Sequence, residues 1–222
     1  MKLSTRLWRW NAYVIFLAGI LAIALLIVSI VMIVADEIDD SANAVSVAPE
    51  RVAASSQYVG VFEIVPGPNV LRAPLYVDQK LASSLPKENT SVQNYLFYDP
   101  AAGSSYWLLD GPPTLLASAK ALPTDDYGQR TEPVVAFVYE QVSRDTDGDE
   151  RLTGDDLKTI ALSDAAGKRF TPLLNDVTNL HAAELMKDDT IVLVYTAASK
   201  MRAVNVDLAS FRVVRETPVE AR

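Results

Sequence analysis

Apolar residues are distributed along this chain in two different ways. From Val14 to Ala35 the run VIFLAGILAIALLIVSIVMIVA holds 22 residues without a charge. At about 1.5 Å of rise per helical residue, it reaches across a hydrocarbon core of about 30 Å. The pattern predicts a transmembrane helix over residues 13–35, after a short N-terminus (1–12). Farther along, apolar residues come in short bursts: QYVGVFEIV (57–65), VVAFVYEQV (134–142) and TIVLVYTA (190–197). These are too short for core helices and rich in β-branched and aromatic residues, so they predict strands. Their unbroken apolar runs predict central strands covered on both faces. Between the two regimes, residues 36–56 are polar, acidic or small without a sustained period, as in a tether.

A second set of segments follows the first. YLFYDPAAGSSYWLL (95–109), TIALSDAAGKRFTPLL (159–174) and AVNVDLASFRVV (203–214) each read as a strand, an Asp, a small-residue turn and a returning strand. Asp99, Asp164 and Asp207 occupy matching places. An Asp there accepts hydrogen bonds from turn amides, and Gly103 and Gly167 supply positive φ at no steric cost. The repeat of a strong strand, a connection and an Asp hairpin resembles the blades of β-propellers over roughly residues 57–216. The resemblance implies a mainly β, antiparallel domain over 57–217, with a tail at 218–222. Three blades are fewer than the usual ring of about 4–8. That leaves an open array, a compact sandwich, or part of a ring completed by other subunits. Unrelated meander hairpins sharing turn chemistry are the alternative. NDVTNLHAAELMKDD (175–189) fits a short helix or a leading strand, and VPGPNVLRAP (65–74) and DGPPTLL (110–116) read as surface connections.

Charge orients the chain. Lys2, Arg6 and Arg9 precede the apolar run, Trp8, Trp10 and Tyr13 lie where an interfacial aromatic belt sits, and Asp36, Glu37, Asp39 and Asp40 follow. The positive-inside bias predicts an inner-membrane, single-pass protein with a cytoplasmic N-terminus and a periplasmic or extracellular domain. A cleaved signal peptide competes through the small-x-small form of Ala42–Ala44. The length of the run and the intervening DEIDD oppose it. Ala18, Gly19, Ala22 and Ser29 share approximately one helix face, which would let another helix approach closely. The formal charge is −8, and setting aside the three basic residues before the span leaves 17 Lys and Arg against 28 Asp and Glu. Such a surface repels phosphate backbones, so no nucleic acid is expected as a partner. The chain has no cysteine, which excludes disulfides and thiolate chemistry.

The acidic stretch DTDGDERLTGDD (145–156) resembles an EF-hand calcium loop. The resemblance implies Ca2+ held by side-chain oxygens of Asp145, Asp147, Asp149 and Asp156, by the carbonyl of Arg151, and by Thr153 directly or through water. Leu152 falls where that family keeps an apolar residue pinning the loop to its core. Two departures stand out: Glu150 replaces the glycine at position 6 and must hold positive φ, and Asp156 replaces the usual bidentate Glu. The segment before the loop has strand composition, so the helix pair that opens on calcium binding is missing. A structural staple is the expected role, and a solvated acidic turn is the alternative.

Catalytic signatures are missing. His181 is the only histidine, neither GSS (103–105) nor SAK (118–120) forms a nucleophile motif, and there is no glycine-rich phosphate loop. The expectation is therefore not an enzyme. It is a membrane-anchored binding or scaffold protein, an accessory subunit of a membrane transport or envelope complex, bound to the bilayer through 13–35 and possible as a homo-oligomer. A calcium- or solute-responsive sensing domain is the second expectation.

Overall fold

The computed structural model describes residues 45–46, 56–78, 90–112, 114–123 and 132–220. The predicted span over 13–35, the N-terminus 1–12 and most of the tether lie outside these residues. Among the described residues no helix is long and apolar enough to cross a membrane. Every regular element among them is a strand: β1 (Val45–Ser46), β2 (Ser56–Val59), β3 (Glu63–Val65), β4 (Val70–Asp78), β5 (Thr90–Asp99), β6 (Ser104–Trp107), β7 (Leu115–Leu122), β8 (Ala136–Val142), β9 (Arg151–Leu152), β10 (Lys158–Asp164), β11 (Thr171–Val177), β12 (Asn179–Leu185), β13 (Thr190–Ala197), β14 (Lys200–Asp207) and β15 (Arg212–Pro218). They form three successive antiparallel sheets, in the orders β2-β4-β5-β6, β7-β8-β10-β11 and β12-β13-β14-β15, with β3 also on β4 and β9 paired to β1. The domain is mainly β, and each sheet has the up-and-down strand order of a propeller blade.

The second sheet is the central layer, and the sequence of β8 explains why. Side chains alternate across a strand, so Phe137 and Tyr139 enter a core with Val65, Val70, Phe97 and Leu116 of the first two sheets. Ala136 and Val138 enter another with Ile191, Leu193, Val204 and Val206 of the third. All four β8 side chains are buried, each large one contributing about 1.5–3 kcal/mol by leaving water. The expectation of a strand covered on both faces holds here.

It does not hold for the other two apolar segments. On β13 only Ile191, Leu193 and Tyr195 are buried, while Val192 and Val194 lie half-buried on the opposite face. QYVGVFEIV is an edge, split into β2 and β3, with Ile64 70% exposed. The central strand of the first sheet is instead β4, which includes half of the segment read as a surface connection. Arg72 and Pro74 break its apolar run and hide it from the pattern. Pro74 also accounts for the split edge: it has no N–H to donate, and its carbonyl accepts from Gly60 N at 2.8 Å. A Cβ at Gly60 would fall 3.0 Å from the Pro74 ring and 2.6 Å from Tyr76. The connection read over 110–116 is likewise shorter, because Leu115 and Leu116 are already in β7 and buried. Of the two readings for 175–189 the strand is realised, as the end of β11 and as β12.

The three Asp hairpins are β5–β6, β10–β11 and β14–β15, the third and fourth strands of every sheet. Asp99 Oδ1 accepts from the amides of Ala101 and Ala102 at 3.0 and 3.2 Å, Asp164 Oδ1 from Lys168 N at 2.8 Å, and Asp207 Oδ1 from Ser210 N at 2.8 Å. Gly103 and Gly167 have φ of 63° and 73°. The turns also tie the sheets together. Lys168 pairs with Asp99 at 3.5 Å and Tyr106 donates to the Ala166 carbonyl at 2.5 Å. On the other side, Arg169 donates to the carbonyls of Ala209 and Leu208 at 2.7 and 3.2 Å and stacks on Phe211 at 3.7 Å.

Gly167→Ala is expected to lower stability by about 1–3 kcal/mol, read by thermal unfolding. The new Cβ combines positive φ with a position 2.5 Å from the Phe97 ring. The turn carboxyls set a pH dependence. The Ala102 amide, then that of Ala101 and Lys168, hold Asp99 below its ordinary value, and Ser210 and Arg169 do so for Asp207. A depressed folded value contributes stability that is present above about pH 4 and lost as pH falls through the folded values. The melting temperature should therefore drop below about pH 4, with a shallower drop in Asp207→Asn.

Candidate metal site in the acidic loop

β8 leaves the second sheet at Val142 and the chain returns as β10 at Lys158, its neighbour in that sheet. Residues 143–157 are thus a closed excursion at the end opposite the Asp164 turn. Leu152 pins it: fully buried, it packs with Leu115 and Val142. Its strand β9 pairs antiparallel with β1 in the tether, Val45 opposite Leu152 and Ser46 opposite Arg151.

The carboxylates organise the loop backbone. Asp145 accepts from Gly148 N through Oδ1 at 2.6 Å and from Glu150 N through Oδ2 at 2.8 Å. Asp147 accepts from Asp149 N at 3.1 Å, and Asp149 from Arg151 N at 2.8 Å. Glu150 holds φ 63°, as the missing glycine requires, and Gly148 holds 86°. One oxygen each of Asp145, Asp147 and Asp149 lies within 4.8 Å of the others. The Gly148 amide, then that of Glu150, keep Asp145 below its ordinary value. Asp147 is shifted the other way. The Asp149 amide pulls it down, but desolvation and the charges of Asp149, Asp156 and Asp145 together push it up. Three oxygen-only donors with mutual repulsion fit a hard divalent cation, which favours carboxylate and carbonyl oxygen.

Asp156 stands apart from that group. It is fully buried, with Oδ1 accepting from Thr146 N and Thr146 Oγ1 at 2.5 and 2.8 Å and Oδ2 accepting from Thr153 N at 2.9 Å. Thr153 is buried, and its hydroxyl accepts from Asp155 N at 3.2 Å. Arg151 lies in β9, with its amide on Asp149. The structure therefore brings together Asp145, Asp147 and Asp149, and turns Asp156 and Thr153 toward bracing the loop.

No family model matches the chain, and no curated protein matches it. Among solved structures, the β-propeller domain of the Trilobed protease from Pyrococcus furiosus, described as having an open velcro topology, overlaps it with 11% identity and a TM-score of 0.39. The match covers 73% of this chain and 43% of that one, so the chain spans less than half of its neighbour's length.

Two residues that fix the loop, one inside it and one at its exit, went unnoticed in the sequence. Lys158 is buried and donates to the carbonyls of Gly154 and Thr178, the latter at 3.0 Å, so a cation sits beneath the acidic turn. Thr146 bridges Asp156 to Leu157 N at 3.0 Å. Their signal is faint, a Lys opening an apolar strand and a hydroxyl at an even loop position. His181 is exposed on β12, with Nε2 2.7 Å from Thr196 Oγ1.

Asp156→Ala strands three donors in and around a buried site and is expected to cost about 2–3 kcal/mol, measured by denaturant unfolding. Asp147 titrates in the opposite sense to the turn aspartates. With its folded value raised, the metal-free loop loses stability as pH rises through it. Asp147→Asn is therefore expected to raise the melting temperature in chelator at neutral pH, and to lower it relative to the native chain in millimolar Ca2+.

Proposed function

We propose that this chain is a single-pass, membrane-anchored extracytoplasmic binding and scaffold protein, an accessory subunit of an inner-membrane transport or envelope complex, with a structural calcium loop. The observation that carries the binding role is the uncovered side of the first sheet. Val61 is 82% exposed beside the β2–β3 edge with Phe62 and Ile64, and Trp107 is exposed on β6 across the same sheet. Exposed apolar side chains of this kind on a folded domain support a protein contact, and a sheet edge such as β2–β3 offers backbone groups to a partner. The charge-free run over 14–35 supports the anchor. The exposed position of His181, engaged with a threonine, supports a role outside catalysis.

In the loop, Asp145, Asp147 and Asp149 would hold the ion. When bound, Ca2+ would supply positive charge that removes the repulsion at Asp147. Asp156, Lys158 and Thr146 fix the loop whether or not an ion is present. A second reading, a calcium-responsive domain, draws on the β1–β9 pair, which links the loop to the tether.

Three measurements test these readings. Titration calorimetry of the native chain should show Ca2+ binding that Asp145→Asn and Asp147→Asn abolish, and absence of heat at millimolar Ca2+ would defeat the calcium role. Hydrogen exchange separates staple from switch. A staple protects 143–157 alone, whereas a switch also changes exchange at 45–46 and beyond. Purification from gently solubilised membranes should return stoichiometric partners, and an isolated monomer would count against the scaffold.

A further inference from the structure

The three sheets stack face on face, and the stack ends abruptly on both sides. On the first sheet, Arg72, Phe97 and Tyr106 point toward the second: Arg72 lies over the Phe137 ring at 4.3 Å and Tyr106 reaches the Ala166 carbonyl. The alternate residues Leu71, Leu96, Tyr98 and Trp107 face away, with Trp107 41% and Tyr98 37% exposed. On the third sheet, Leu193 and Val204 face the second, so Val192, Val194, Ala203 and Met201 face away, half-buried. One end face carries bulky apolar side chains and the other carries small and medium ones. Thr196, Asn205 and Asp207 share the second of these faces with Val192, Val194 and Ala203.

The turns indicate what belongs between them. Five residues after its turn aspartate, the second sheet places Arg169, which grips the carbonyls one and two residues after Asp207 in the next sheet. Five residues after Asp207 stands Arg212. It pairs with Asp207 in the β14–β15 register and so shares the outward face of the third sheet. It is exposed, and its side chain has no hydrogen-bond or ion-pair partner among the described residues. The matching carbonyls after Asp99 belong to Pro100 and Ala101, both exposed on the first sheet's turn. The gripping group and the gripped turn are thus both present on one chain, at opposite ends of the stack.

We propose that a second copy of this chain closes the stack: the third sheet of each copy packs on the first sheet of the other, Arg212 grips the Pro100–Ala101 turn, and six blades form one ring. Six lies within the range of about 4–8 that closed propellers use. A two-fold axis along the ring makes the two new interfaces identical. It also leaves equivalent ends of both chains on one side, as two anchors in one bilayer require. The area suffices. Four strands about 4.8 Å apart and seven residues at about 3.3 Å each cover about 440 Å2 per face. The four faces of two interfaces then bury about 1,800 Å2, within the range of about 1,200–2,000 Å2 for stable complexes. The proposal rests on the scaffold reading, in that the uncovered faces serve protein contact, and it names the first occupant.

The test uses the full chain in a mild detergent, with mass from light scattering. The expected result is twice the 24.2 kDa of one chain, with Trp107→Glu and Val194→Glu each giving monomer. Arg212→Glu, on the exposed rim, should weaken the dimer about tenfold without altering the circular dichroism spectrum. The absence of native cysteines permits a directional check. A Tyr98→Cys chain mixed with an Asn205→Cys chain should be joined by a short bismaleimide, and either chain alone should not. A monomer at tens of micromolar, a dimer indifferent to all three variants, or cross-links between like positions would overturn the proposal. A monomer that still brings down other membrane proteins would overturn it and leave the scaffold reading standing.

Discussion

The burial of the second sheet on both faces is the constraint from which the rest of the architecture follows. A strand that sends alternate side chains into two cores must be apolar throughout, and β8 meets this with Ala136, Phe137, Val138 and Tyr139. The Tyr139 hydroxyl, 3.2 Å from Ser163 Oγ, is satisfied inside the sheet, so its burial leaves no orphan donor. With the central layer fixed, the outer sheets need only one apolar face each for internal packing. Apolar side chains on their other faces, such as Trp107 and Val192, lie outside the packing of these three layers.

The same central sheet separates two kinds of chemistry at its ends. At one end the turn after Asp164 reaches both neighbours, backward through Lys168 and forward through Arg169. At the other end the acidic excursion is held by a buried leucine and a buried carboxylate, without the helices that position such a loop elsewhere. The end of the ladder between the two inner strands β8 and β10 frames it instead: Gln141 and Thr159 sit opposite one another and set the distance the loop must span.

How much of this was legible depended on whether a local rule and the tertiary context agreed. The Asp hairpins were readable because the carboxylate, the turn amides and the strand pattern act over a few residues, as at Asp99 and Ala101. The positive φ of Glu150 was readable because loop closure demands it whatever the flanks are. β4 was obscured because Arg72 rests against Tyr95 and Phe137, at 4.6 and 4.3 Å, and so occupies a place where the pattern expects a hydrocarbon. Pro74 was tolerated in a central strand only because the facing edge yields at Gly60. In the loop, spacing identified the carboxylates but not their acceptor roles. Asp156 and Asp149 look alike in sequence, and only the donors around them distinguish a brace from a candidate ligand.

The two-residue pair between β1 and β9 joins the tether to a point beyond the whole first sheet and half of the second. Loop-closure entropy rises by only about 0.6 kcal/mol per doubling of loop length, so a ribbon this short can span so much sequence. It ties the start of the described domain to the acidic excursion and leaves the first sheet and the β7–β8 hairpin inside one closed loop.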